Sequence, residues 1–345
     1  MRSRRTPATE TPKDRRRRRA AGRQVKRAGR RKKRPDGDSG LFEKQSRESW
    51  DPFFSTTIQY PAGRICHKRR AVTGTPAHLF YPDLVASDLD GTLLPPSLEF
   101  TPQTTAGVRN LRGAGVPFVV CTGRMFKSAR LVIARLGITT GPIVCYQGAL
   151  VADLATGEWS RHLPIPADVA AEVVVVMREL RRHVNVYVGD ELFVEQNDGW
   201  ARSYAEYAEV GLNVVPDLLA VVTTPPTKIV VSTDPDDVTK LLPELQARWD
   251  GRLYVTRSLP HFIEISDPLA TKSAALAYLC ERLPAAPERT VACGDGWNDV
   301  DMIRWAGLGV AVAEATDDVR ATADLVVPRD GLGELFNALA GAPRA

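Results

Sequence analysis

The chain has 345 residues, is 43% hydrophobic and carries a formal charge of +5, which leaves room for two domains and a sizeable core. No apolar run approaches bilayer length, and no apolar segment follows the N-terminal arginines, so neither a membrane span nor a secretion signal is expected and a cytoplasmic protein is the default expectation. The five cysteines, Cys66, Cys121, Cys145, Cys280 and Cys293, form no Cys-x-x-Cys pair and read as buried thiols rather than a disulfide framework.

Charge divides the chain sharply. Residues 1–35 hold 17 Lys or Arg against Glu10 and Asp14, a net +15, so the remaining residues carry −10. With little that is apolar to bury, this arm is expected to be disordered. It suits salt-sensitive, weak contact with nucleic acid or an anionic surface; its other reading is an adventitious extension from a start site placed too far upstream. Residues 36–79 have scattered aromatics but no sustained period, and loop or disorder is expected there.

The first chemical signal is Asp88-Leu89-Asp90-Gly91-Thr92, at the end of the apolar run 84–87. Alternation along a strand sends Asp88 and Asp90 the same way as the strand enters a glycine loop. Two converging carboxylates can hold a hard cation, with magnesium expected, and offer an oxygen as nucleophile if a positive charge offsets their repulsion. Thr101 and Pro102 then open a helix, the run 117–121 makes a doubly covered strand ending in Thr122-Gly123-Arg124, and a second helix leads to a third strand at 143–146. This βαβαβ order predicts an α/β, doubly wound parallel sheet with ligands beyond the carboxyl ends of its strands. A hairpin, 149–153 and 159–163, should leave the sheet.

From about residue 164 strands and helices no longer alternate strictly, which suits an inserted α+β cap. A strand at 262–265 and a helix opening at Thr271-Lys272 resume the parallel pattern. The run 290–293 then leads into Gly294-Asp295-Gly296-Trp297-Asn298-Asp299. The expected layout is therefore a disordered basic extension at 1–79, a Rossmann-like core at 80–163 and 258–345, and a cap at 164–257.

These four signals in this order resemble the haloacid dehalogenase superfamily of phosphatases. A cap inserted between the second and third is similar to the Cof-type group. The resemblance implies that Asp88 attacks phosphorus to form an aspartyl-phosphate, and that Asp90 protonates the leaving oxygen and later deprotonates the attacking water. It implies Mg2+ held by the Asp88 carboxylate, the Asp90 backbone carbonyl and Asp295, with Asp299 a ligand or the holder of a bound water. Thr122, Lys272 and loop amides near Gly91 would bind phosphoryl oxygens, with Gly123, Arg124 and Asn298 on the substrate side.

Plainer roles are open for several of these residues. Thr122 could simply cap a helix, Lys272 could be solvated, Arg124 could form a structural ion pair, and Asp295 with Asp299 could form a calcium-like turn. Lys228 rivals Lys272 for the lysine role. Gln147-Gly148 stands where the group shows Asn-Gly, and Leu269-Ala270-Thr271 and Ser273 flank Lys272 where glycines are usual, which bears on substrate binding more than on phosphoryl chemistry. The expected function is Mg-dependent hydrolysis of small phosphomonoesters such as sugar phosphates or nucleotides. Alternatives are a phosphotransferase or mutase using the same intermediate, and a nucleic-acid-binding protein acting through the arm.

Overall fold

Strand β2, Leu84–Ser87, is buried on both faces, and its alternating side chains feed two different layers. Val85 packs with Phe118, Val120 and Cys293 against the helices Pro102–Gly113, Phe126–Ala134 and Leu332–Ala340. Leu84 and Ala86 pack with Val119, Cys121 and Ala292 against the helices Lys272–Cys280 and Val300–Trp305. A strand can be apolar throughout only when helices cover both faces, so this run dictates a three-layer core.

The computed structural model describes residues 72–73 and 79–343. The central sheet has the order β1-β15-β14-β13-β2-β3, with all pairs parallel. Its strands besides β2 are β1 Val72–Thr73, β3 Phe118–Val120, β13 Thr290–Gly294, β14 Leu308–Val312 and β15 Leu325–Val327. The chain leaves β2 toward β3 on one side, and β13 flanks it on the other. This places β2 at the point where strand order reverses and the carboxyl ends open a crevice. Strand β4, Pro142–Cys145, joins β3 through a single parallel bridge, Cys121 to Val144. It then starts a separate antiparallel sheet with β5 Leu150–Asp153 and β6 Trp159–His162.

Between β6 and Lys272 lies a second six-stranded sheet of order β11-β12-β10-β7-β8-β9, antiparallel except for β8 with β9. Its strands are β7 His183–Val188, β8 Glu191–Val194, β9 Asn213–Val214, β10 Lys228–Ser232, β11 Tyr254–Leu259 and β12 Phe262–Ser266. One face, with Val184, Val186, Ile229, Val231, Ile263 and Ile265, packs on the helices Ala167–Glu179 and Pro235–Arg248. From the opposite face Tyr187, Val230 and Phe262 join the core's own apolar cluster, with Tyr204 from the helix Gly199–Ala208.

Two expectations are corrected here. The strand expected at 262–265, on the core side of a cap ending at 257, is Phe262–Ser266 and lies in the inserted sheet. It pairs antiparallel with β10 and β11. A short turn after β11 folds it straight back, and its Ile263 and Ile265 fill the inserted layer. Loop or disorder was also expected throughout 36–79, yet Val72–Thr73 pairs with Leu325–Val326 at the edge of the core sheet. The basic arm lies outside the described residues. No described helix is long and apolar enough to cross a membrane.

The helices Pro102–Gly113 and Leu332–Ala340 touch through glycines: a Cβ on Gly107 would stand 2.6 Å from the Gly333 carbonyl. Gly107→Ala should therefore destabilise the fold by about 1–3 kcal/mol, read from urea unfolding. An unchanged midpoint would show that these helices can separate at little cost.

Candidate active site

Three adjacent parallel strands deliver their carboxyl ends to one place. Asp88 follows β2, Thr122 follows β3, and Asp295 follows β13, with the Asp88 amide donating to the Cys293 carbonyl at 2.9 Å. The fourth participant arrives from a helix. Thr271 caps the helix Lys272–Cys280, its hydroxyl accepting from Ala274 N at 3.2 Å, so Lys272 occupies the first turn. Gly148 allows that approach: a Cβ there would lie 2.1 Å from the Thr271 carbonyl, and its φ of +108° suits glycine.

Lys272 is 1% exposed, and its ammonium donates to Asp88 Oδ1 at 2.5 Å and to Asp299 Oδ1 at 2.6 Å. The other Asp299 oxygen accepts from the backbone amides of Asp295 (3.0 Å) and Gly296 (2.9 Å), which fixes the turn that carries Asp295. Asp295 Oδ1 accepts from the Thr92 hydroxyl at 2.6 Å, and Gly91 leaves no space for a Cβ against that carboxylate. Arg329 Nε donates to the Gly91 carbonyl at 2.6 Å, bracing the loop from behind.

Asp88, Asp295 and Asp299 each offer an oxygen within 4.8 Å of the others. Three carboxylates thus face one ammonium, an excess of negative charge in a poorly solvated place. Burial pushes Asp295 up to about 6, with Asp299 adding to the effect. Burial also raises Asp88 well above the usual carboxylate range, while Lys272 pulls it back. Burial alone would discharge Lys272, but Asp299 and Asp88 outweigh it and hold the ammonium above its ordinary range. Hard oxygen donors with uncompensated charge fit a divalent cation, because it removes the repulsion that raises these carboxyls.

Thr122 is fully buried; its hydroxyl accepts from Arg124 N at 3.1 Å, which leaves its own proton to donate. Asp90 is exposed and is not part of the acid cluster, with both carboxylate oxygens held by Arg124 at 2.8 Å. Arg124 forms the ion pair that was one of its two expected roles, and it extends this pair to Glu209 of the inserted domain. Asn298 donates to Gln147 Oε1 at 3.0 Å, and Gln147 closes over Gly123, where a Cβ would meet its amide at 2.5 Å.

Lys228 stands apart from the cluster that Lys272 occupies. Buried on β10, it lies 3.4 Å from the Gly123 carbonyl and 3.4 Å from Glu264. Asp190, in the turn between β7 and β8, accepts from the amides of Phe126 (2.9 Å) and Lys127 (2.7 Å) and from the Tyr146 hydroxyl (2.7 Å). The inserted domain is therefore pinned to the core beside the site. Sequence reasoning missed Glu209, Asp190 and Arg329. None lies in a motif, and only a three-dimensional contact reveals them.

Comparison with known proteins agrees with this architecture. The family model for haloacid dehalogenase-like hydrolase matches residues 85–331. The 5-amino-6-(5-phospho-D-ribitylamino)uracil phosphatase YitU of Bacillus subtilis (strain 168) is 28% identical over 249 residues, covering 70% of this chain and 91% of that protein. Pyridoxal phosphate phosphatase YbhA of Escherichia coli (strain K12) is 25% identical over 265 residues, covering 71% and 92%. The crystal structure of TM0651 from Thermotoga maritima superposes with a TM-score of 0.69 at 28% identity, over 77% of this chain and 99% of that one.

Two outcomes follow from the geometry. Gly148→Ala should displace the Thr271–Lys272 turn, cost about 2–3 kcal/mol and lower turnover, checked by unfolding and initial rates; full activity would mean the approach is not needed. Because the folded pKa of Asp295 lies above its ordinary 3.8, the metal-free fold binds the extra proton and loses stability as pH rises from about 4 to 6. Magnesium should accordingly raise Tm more at about pH 7.5 than at about pH 5, where a proton competes for Asp295. Equal gains at both pH values would contradict the ligand role.

Proposed function

Since the chain belongs to the haloacid dehalogenase-like hydrolases, we propose that it is a phosphatase releasing inorganic phosphate from small phosphomonoesters through an aspartyl-phosphate on Asp88. The observation that carries this reading is the buried Lys272 ammonium on Asp88, inside a cluster of three acids, with Thr122 buried at the end of the adjacent strand. A dianionic phosphate cannot approach a carboxylate unless fixed positive charge and donors offset the repulsion.

In the first step an Asp88 oxygen bonds to phosphorus as the bond from phosphorus to the leaving oxygen breaks, and Asp90 gives that oxygen a proton. In the second, a water loses its proton to Asp90 and attacks phosphorus, freeing phosphate and restoring Asp88. Lys272 orients Asp88 and offsets its charge, while Thr122 and the amides around Gly91 donate to the phosphoryl oxygens. Asp88, Asp295, Asp299 and the Asp90 carbonyl would hold magnesium, which when bound supplies the positive charge that lets nucleophile and phosphate meet.

Arg124 holds both oxygens of Asp90 at the mouth, which fixes the direction from which that carboxyl meets a leaving oxygen. The inserted domain serves as the cap: through Lys228, which Glu264 pairs, and through Glu209 it meets the Gly123–Arg124 loop, where a leaving group would sit. The named relatives act on a ribitylaminouracil phosphate and on pyridoxal phosphate, which supports a small phosphorylated metabolite as substrate. Cys121, Cys145, Cys280 and Cys293 are free thiols, which suits the cytoplasm.

Asp88→Asn should lower kcat by at least about a thousandfold while the thermal midpoint stays near that of the parent, measured by phosphate release from a panel of phosphorylated metabolites with and without magnesium. Near-parental rates in that variant would end the reading.

A further inference from the structure

The proposed general acid is tied to the inserted domain through Arg124, directly by Glu209 and more loosely by Ser128, whose Oγ lies 3.4 Å from the Ala208 carbonyl. Arg124 donates from Nε and Nη2 to the two oxygens of Asp90, each at 2.8 Å. Its remaining nitrogen, Nη1, donates to Glu209 Oε2 at 2.8 Å and to Ser128 Oγ at 3.2 Å. A guanidinium is planar and rigid, so fixing Nη1 fixes the edge offered to Asp90. Ser128 belongs to the core helix Phe126–Ala134, whereas Glu209 belongs to the inserted domain.

The backbone at Glu209 does not favour a glutamate. The residue follows the helix Gly199–Ala208 in the left-handed conformation, φ 55° and ψ 46°, where glycine or asparagine is at ease. A residue of this kind persists where the surrounding structure holds it in place, as Arg124 holds Glu209. Stability gives little reason for it either. The Glu209 side chain is 49% exposed, and ion pairs so open to water contribute little to folding. The end of this helix abuts the loop and helix that follow Thr122: Glu209 accepts from Arg124, and the Ala208 carbonyl lies 3.4 Å from Ser128 Oγ.

We propose that Glu209 is a positioning residue that sets the orientation of Asp90 through Arg124, so that seating the cap and aligning the general acid are one event. This rests on Asp90 being the acid–base residue of the proposed reaction. Its effect belongs in the chemical step: without Glu209 the substrate still binds, but Asp90 samples more orientations and fewer of them are productive.

The experiment compares the parent with Glu209→Gln, Glu209→Gly, Arg124→Gln and the Arg124→Gln/Glu209→Gln double variant. Each is assayed with magnesium on a phosphomonoester that the parent hydrolyses. Glu209→Gln should lower kcat about tenfold and move KM less than about threefold. Glu209→Gly should lower kcat as much while Tm is equal or higher, since glycine relieves the left-handed residue. In the Arg124→Gln background the Glu209→Gln change should cost less than about twofold, because the relay is already cut. Parental kcat in Glu209→Gln, a change in KM alone, or the same tenfold loss in both backgrounds would overturn the proposal. If Arg124→Gln is too slow to assay, the divergence of kcat and Tm in Glu209→Gly decides alone. Asp90→Asn serves as the control: parental kcat there overturns the acid–base reading itself, a result distinct from failure of the relay.

Discussion

One buried ammonium holds the site together. Lys272 has almost no contact with water and reaches both Asp88 and Asp299, the first at the end of one strand and the second in the turn after its neighbour. Removing such a cation would leave acids facing one another in a region that solvates them poorly, and each would protonate or move apart. The pairing also sorts the acids by task. One oxygen of Asp88 and one of Asp299 lie on Lys272 and the other Asp299 oxygen on two backbone amides, whereas Asp295 has the Thr92 hydroxyl but no ammonium against it, which gives it reason to accept a metal.

Much of this could be read before any coordinate was known. The run at β3 reads as a strand covered on both faces, and the acids after β2 and β13, Asp88 and Asp295, lie in one cluster. Lys272 was harder, since a lysine in a first helical turn is ordinary. What singles it out is the Gly148–Thr271 approach, which no local pattern encodes. The strand Phe262–Ser266 went to the wrong sheet for a related reason. Its alternation suits either layer, and only the partners of Ile263 and Ile265 decide. Gln147, read as a departure from a family pattern, proves to be part of the wall over Gly123 and a partner of Asn298.

The inserted sheet and the core meet through polar contacts at defined points and through an apolar patch around Tyr187, Tyr204 and Phe262. Asp190 takes two amides at the start of a core helix, Lys228 borders the Gly123 carbonyl, and Glu209 reaches Arg124. Asp190 and Lys228 are buried, so these hydrogen bonds act together with the apolar patch in holding the inserted domain against the core beside the site.

The central claim is that Asp88 itself carries the phosphoryl group. It is tested most directly by quenching the enzyme in acid within milliseconds of mixing with substrate and mapping phosphorylated peptides by mass spectrometry. The account predicts a phosphoryl group on the peptide containing Asp88, at the residue itself, absent when substrate is withheld. A phosphoryl group on any other residue, or turnover at full rate with water attacking the substrate directly and no phosphorylated peptide at any quench time, would contradict it.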